Sequence, residues 1–273
     1  HLNHIKFSVQ CDNKTKKVIF AYLIDADKGL DINNNRLFSK KRKRVYIKDA
    51  TIYDVDFIIN NLKRYVDEIE KNMTTAYKML RTRILQTMRT NGWNSLAITS
   101  AGQGDGKTLT AINLAISLAG DVNHHVCLVD LDMKRSSVAK YLGLEPKKGI
   151  SDCLKEESNL ENIIVKPDIE RLYIVPNVTI EDQTSELLSS PEMRYTASQL
   201  VQDPNRIIIY DMPPVLAADD MLAFSPYVDA ILVVVAEGVT PRTDVMRVRE
   251  LLADMNVIGT LLNRSDEKTA AYY

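Results

Sequence analysis

Apolar positions change their period twice along this chain. Near the N-terminus Ile5, Phe7, Val9 and Cys11 alternate with Lys6, Ser8 and Gln10, the period of two that marks a half-buried strand. Asp12-Asn13-Lys14 supplies turn chemistry and Val18 to Ile24 reads as a second strand, so this end predicts a β-hairpin. From residue 50 the spacing becomes three and four. Ile58, Leu62, Tyr65, Ile69 and Met73 form one helical stripe. After a cap at Thr74-Thr75, Tyr77, Leu80, Ile84 and Met88 form another, which Gly92 ends. Beyond Trp93 short apolar runs alternate with helical stretches. Strands are predicted at 95–99, 126–130, 172–175, 206–211, 229–236 and 257–262, and helices at 107–119, 135–142, 191–202, 219–225 and 241–255.

Runs such as Val126-Cys127-Leu128-Val129 and Ile207-Ile208-Ile209-Tyr210 carry no polar alternation. Strands covered on both faces look like this, so the fold class is α/β: a doubly wound, mostly parallel sheet with helices on both faces and a small N-terminal hairpin extension. Two parts follow, residues 1–44 (hairpin and basic linker) and residues 45–273 (the main domain). The run Lys40-Lys41-Arg42-Lys43-Arg44 reads as a solvated linker, with acidic lipid or a partner as the other reading.

Composition narrows the classes. The chain has 273 residues, 45% of them apolar, and a net charge of −1, which gives no drive toward nucleic acid. Cys11, Cys127 and Cys153 are too widely spaced for a disulfide framework or a metal-ligand pair, and they suit a reducing cytoplasm. No apolar stretch approaches the roughly 18 residues of a membrane span. The chain starts with His rather than Met and carries no leader pattern, which reads as a tagged, processed or excised piece of a longer chain. The stretch Asp25 to Asp31 imitates a calcium loop, but its Gly29 falls one place early and Arg36 stands where a bidentate Glu is needed, so calcium is rejected.

The chemistry gathers where strands end. Leu96-Ala97-Ile98-Thr99 runs into Ser100-Ala101-Gly102-Gln103-Gly104-Asp105-Gly106-Lys107-Thr108, a strand, a glycine-rich loop and a helix start. Glycines let backbone N–H groups face phosphate oxygens and the helix N-terminus adds a positive dipole end. Lys107 is placed for the β/γ-phosphates, and Thr108 offers a hydroxyl to Mg²⁺. Ala101 stands where the standard pattern has its first glycine. Two further strands end in acid: Val129-Asp130-Leu131-Asp132-Met133-Lys134-Arg135 and Ile209-Tyr210-Asp211-Met212-Pro213-Pro214. Open α/β sheets bind ligands at that edge. Asp130 and Asp211 are hard oxygen donors suited to Mg²⁺, and Asp132 is a candidate general base.

Together these segments resemble the bacterial tyrosine kinases that regulate capsule and exopolysaccharide export, within the deviant-Walker ATPases that include septum-site and chromosome-partitioning ATPases. The likeness spans residues 73–264. Val126 to Arg135 resembles the family's second acidic motif, Ile207 to Pro214 its Walker B, Thr184 to Ser190 its PSELL segment with Thr184 in place of Pro, and Gly259 to Asn263 its last strand. The resemblance implies ATP held by Gly102, Gln103, Gly104, Asp105, Gly106, Lys107 and Thr108, with Asn263 at the adenine. It implies Mg²⁺ among Thr108, Asp130 and Asp211, with Lys107, Asp130 and Asp132 as the catalytic set and Asp132 activating the tyrosine. It also implies a transmembrane chain-length-determinant activator or export machinery as partner, and a cytoplasmic location whose membrane link a partner supplies.

Departures shape the expectation. The partitioning ATPases' signature lysine is replaced by Gly102, which favours the kinase branch. The kinases' E-x-x-R-x-x-R assembly motif reads Thr75, Lys78 and Arg81 here, so a monomer or weak homo-oligomer is expected. The tyrosine-rich tail is reduced to Tyr272 and Tyr273, the candidate autophosphorylation sites. A nucleotide-switch ATPase without kinase activity, or a degenerate nucleotide-binding module, stays open as the alternative.

Overall fold

The computed structural model describes residues 5–11, 17–25, 50–51 and 73–265. It divides into two compact units, residues 1–73 and 74–273. In the first, β1 (Ile5–Cys11) and β2 (Lys17–Asp25) pair antiparallel, as the alternating pattern requires. A short β3 (Ala50–Thr51) adds to β2 through Lys17 and Val18, so the strand pattern persists where a helical period was expected to begin. The basic run 40–44, the 44/45 boundary, the stripe from Ile58 to Ile69 and the tail tyrosines lie outside the described residues.

A helix over residues 73–91, α1, lies in the second unit from Thr74 onward. Thr74 and Thr75 lie inside it rather than capping it, since Met73 is already helical. Its C-terminus is a Schellman end. Gly92 sits at φ 70°, its N–H donates to Arg89 O at 3.4 Å, and Trp93 N–H donates to Met88 O at 2.9 Å.

Six strands follow: β4 (Ser95–Ser100), β5 (His125–Asp130), β6 (Leu172–Val175), β7 (Arg206–Asp211), β8 (Ala230–Ala236) and β9 (Val257–Asn263). They form one sheet in the order β6-β5-β7-β4-β8-β9, and every pairing is parallel. Alternate residues build two cores. Leu96, Ile98, Leu128 and Ile209 face α1 and α2 (Lys107–Ala119), whose Met88, Leu114 and Leu118 cover them. Ala97, Val129, Ile208 and Tyr210 face the opposite layer, which includes α7 (Pro191–Leu200) and α9 (Arg242–Leu251). Apolar burial on both sides explains the unbroken apolar runs.

Short helices interrupt the connections: α3 (Val138–Tyr141), α4 (Ile150–Leu154), α5 (Leu160–Ile163), α6 (Thr184–Leu188) and α8 (Asp220–Phe224). The helix expected at 135–142 shrinks to α3 because Asp130 Oδ2 accepts the N–H groups of Ser137 and Val138, at 3.0 and 3.1 Å, holding the preceding residues in a loop. Helix α9 stops at Leu251 rather than 255, and α7 at Leu200 rather than 202. Parallel pairing leaves Ser100, Asp130, Asp211, Ala236 and Asn263 at one edge of the sheet, the edge that carries the glycine-rich and acidic loops.

Candidate functional site

The glycine-rich loop turns from β4 into α2 through Gly106, at φ 98°. A side chain there would be strained by that backbone and would drive into the carboxamide of Asn263, so glycine is required twice over. Lys107, the first residue of α2, is almost entirely buried. Its Nζ lies 2.7 Å from Asp132 Oδ2 and 3.3 Å from Asp211 Oδ1. Thr108 Oγ1 donates to Asp211 Oδ2 at 2.6 Å. Burial works to lower the pKa of Lys107, but Asp211, Asp132 and Asp130 outweigh it and hold the ammonium above its ordinary value.

Two acidic loops surround that lysine. Asp130 and Asp211 stand side by side in the β5–β7 register, and both are fully buried. Burial raises the pKa of Asp130 to about 7, with the adjacent Asp211 carboxylate adding to the shift. Burial raises that of Asp211 too, while Lys107 and Thr108 pull it back. Asp130 uses Oδ2 on two backbone N–H groups; its Oδ1 is buried with no partner. Asp132 lies two residues on and turns to Lys107. The loops are knitted together by Leu131 N–H to Asp211 O and Met212 N–H to Ile98 O, both 2.9 Å.

On the far side, the outer strands grip the loop. Asp105 is buried; its Oδ2 accepts Gly102 N–H at 2.9 Å and its Oδ1 accepts the Thr240 hydroxyl at 2.9 Å. Thr240 Oγ1 in turn accepts Ala236 N–H at 2.8 Å. Asn263 Nδ2 donates to Asp105 O at 2.8 Å, and Arg264 donates to Gly104 O. Gln103 and Gly104 form the exposed tip between these grips.

Thus Lys107, Thr108, Asp130, Asp132 and Asp211 meet at one point, with Gly102 to Gly106 and Asn263 beside them. Tyr272 and Tyr273 lie outside the described residues. Pattern reasoning missed Thr240 and Arg264, which follow no recognisable spacing. Arg81, from the altered assembly motif, donates to Ser117 O at 2.7 Å and so ties α1 to α2. A groove lined by Arg81, Leu85, Gln86, Arg89 and Asp121 lies on α1, and none of the carboxylates above lines it.

The donor set fits Mg²⁺ with a nucleotide phosphate. Among the described residues no three His, Cys, Asp or Glu side chains form a metal cage. Mg²⁺ is commonly held instead by one or two carboxylates together with phosphate oxygens and water. The unpartnered Asp130 Oδ1, the Asp211 carboxylate and the Thr108 hydroxyl are oxygen donors of that kind. Left without such a partner, a buried carboxylate oxygen is costly.

Sequence and structure comparisons relate the chain to known proteins. The chain is 29% identical over 189 residues to the tyrosine-protein kinase YwqD of Bacillus subtilis (strain 168), covering 68% of this chain and 79% of that one. It is 27% identical to the tyrosine-protein kinase ptk of Acinetobacter johnsonii, over 72% of this chain but only 27% of that much longer protein. The crystal structure of the VpsO kinase domain superposes with a TM-score of 0.65 at 27% identity, covering 74% of this chain and all of that one. A sequence profile of the AAA domain family matches residues 94–257. That span runs from the residue before β4 to the first residue of β9 and takes in the glycine-rich loop and both acidic loops, so the chain belongs to the AAA domain family.

Proposed function

We propose that this chain is an ATP-dependent protein-tyrosine kinase of the bacterial type, acting on its own tail and controlling the assembly of an exopolysaccharide or capsule. The observation that carries the reading is the division of labour among three carboxylates. Asp211 engages Thr108, Asp130 keeps one buried oxygen unpartnered, and Asp132 is bound only through a lysine that a phosphate would attract. The similarity to proteins named tyrosine-protein kinases supports the same reading.

Thr108, Asp130 and Asp211 would hold Mg²⁺, and the backbone of Gly102 to Gly106 with Lys107 would hold the phosphates. Bound Mg·ATP supplies the phosphoryl group and a leaving oxygen whose charge is offset. The chain's own part is proton and charge management. Lys107 exchanges a carboxylate partner for phosphate oxygens, which leaves Asp132 an oxygen to accept the proton of a tyrosine hydroxyl. Burial among α2, β5 and β7 keeps water from competing for that proton. Any membrane link is assigned to a separate chain-length-determinant partner, as the family resemblance implies.

Incubation with γ-labelled ATP and Mg²⁺, followed by phosphotyrosine mapping, tests the reading. Label is expected on Tyr272 or Tyr273, at a rate per molecule that rises with protein concentration. Label undiminished in the Tyr272→Phe/Tyr273→Phe variant would move the acceptor elsewhere. Hydrolysis of ATP without any phosphotyrosine would overturn the kinase reading in favour of a nucleotide switch.

A further inference from the structure

Asp132 is useful as a base only if its loop holds one shape. That loop, unlike the strand before it, has no ladder of its own: the residues from Leu131 to Ser137 form neither helix nor strand. Arg135 N–H donates to Asp132 O at 2.9 Å, closing a single tight turn. Two side chains from outside the turn's backbone reinforce it. Ser136 Oγ donates to the same Asp132 O at 3.2 Å, and Asn177 Nδ2 donates to Ser136 Oγ at 2.8 Å.

Asn177 is built to stay where it is. It lies two residues past the end of β6 and is 4% exposed. Its second amide hydrogen goes to Thr179 O at 2.6 Å, and its Oδ1 accepts Ser151 N–H, the second residue of α4, at 3.3 Å. Both donors of the carboxamide are therefore satisfied and its acceptor is occupied. Gly149 packs so closely on this segment that an added Cβ would come within 2.7 Å of Pro176 O and of Asn177 Cα, with no flexible side chain to yield. Further along, Glu181 N–H reaches Met133 O at 3.3 Å, while the Glu181 carboxylate holds Lys155 Nζ at 2.7 Å. The connection after β6 is thus fastened to α4 and leans on the acidic loop at two points.

We infer that Asn177 and Ser136 are positioning residues for Asp132: a hydrogen-bond relay running from the Asn177 carboxamide through the Ser136 hydroxyl to the Asp132 carbonyl fixes the turn that presents the base. The inference rests on the kinase reading of Asp132. The relay touches neither Lys107 nor Thr108, whose contacts are with Asp132 and Asp211 carboxylates and with each other. Loosening it therefore disturbs turnover and leaves nucleotide binding alone. A misplaced base is a geometric defect, and small displacements of a reacting group are costly in rate.

The test compares Ser136→Ala, Ser136→Thr, Asn177→Ala and Asp132→Asn, singly and with Ser136→Ala combined with Asp132→Asn, in labelled-phosphate transfer and in ATP-binding calorimetry. Expected for Ser136→Ala and Asn177→Ala is a fall in kcat of roughly tenfold with the Kd for ATP within about twofold of wild type. Ser136→Thr, which keeps the hydroxyl, should restore most of the rate. Ser136→Ala added to Asp132→Asn should lower kcat no further, since the relay acts through that carboxylate. Ser136→Ala and Asn177→Ala at wild-type kcat, while Asp132→Asn is slow, would overturn the relay and leave the base assignment standing. Loss of ATP affinity in step with kcat would overturn it too, by making the effect structural. Full activity of Asp132→Asn would instead overturn the base assignment on which the relay rests. Ser136 is the safer probe, because it is only partly buried while Asn177 is a core amide.

Discussion

Along the ligand edge of the sheet, the loops after β4, β5 and β7 and those after β8 and β9 solve different problems. The central loops place one ammonium and three carboxylates within a single buried cluster. The outer loops send Thr240, Asn263 and Arg264 to the glycine-rich loop as hydrogen-bond donors to Asp105 and Gly104. Burial follows the same division. Strands β4 and β7 are buried almost throughout, whereas β9 is an edge strand with Leu262 55% exposed. Charges buried in the centre stabilise only in company, because an unpaired ion there costs far more than a neutral group. At the edge, single hydrogen bonds from Thr240, Asn263 and Arg264 hold a backbone in shape. The centre handles charge and chemistry; the edge sets the form of the cradle.

That comparison breaks if substitutions in the two regions have equal effects. The largest loss of binding is expected for Lys107→Met, which removes a charge-assisted contact to phosphate. Calorimetry should show ATP affinity lower by on the order of 10- to 100-fold, with the fold intact. Gly106→Ala lies where the regions meet. It should lower ATP affinity and also destabilise the domain by roughly 1–2 kcal/mol in chemical unfolding, the cost of a left-handed backbone for a residue with a Cβ. Thr240→Val deletes the hydroxyl that donates to the Asp105 carboxylate and accepts Ala236 N–H, and should weaken ATP by only about fivefold, with Thr240→Ser close to wild type. Equal loss from Thr240→Val and Lys107→Met would erase the distinction. The smallest effect belongs to Arg81→Ala, outside both regions. Losing the bond to Ser117 O should cost about 1 kcal/mol of stability and leave ATP affinity untouched. Wild type and variant should elute alike in size-exclusion chromatography, as a monomer or a weak homo-oligomer. A stable ring that Arg81→Ala dissolves would contradict this.

The centre was legible in the sequence and the edge largely was not. Strands β6 and β7 and helix α2 match their predicted limits end for end, because unbroken apolar runs and a strand–glycine loop–helix pattern are strong local signals. Asp130 and Asp211 end strands, Asp132 lies two residues past one, and Lys107 and Thr108 open the helix after the glycine loop; parallel pairing alone is enough to bring those ends together. Thr240 and Asn177 carry no such mark. Their hydroxyl and carboxamide acquire a role only when connections 135 and 41 residues distant in the chain come into contact. The failures have local causes as well. Thr74 and Thr75 resemble a cap but lie within a continuing helix, and α4, α5 and α6 are too short for a helical period to show.

The most direct measurement is a paired one on Asp132→Asn: ATP affinity by calorimetry and phosphotyrosine formation from γ-labelled ATP, both against wild type. Asp132 touches Lys107 and is the one carboxylate of the three assigned neither to the metal nor to holding Thr108. Its amide analogue should bind Mg·ATP about as well as wild type and transfer phosphate about 10²-fold more slowly or worse, the scale of a lost general base. Wild-type transfer by Asp132→Asn would contradict the account at its centre, whatever the affinity for nucleotide.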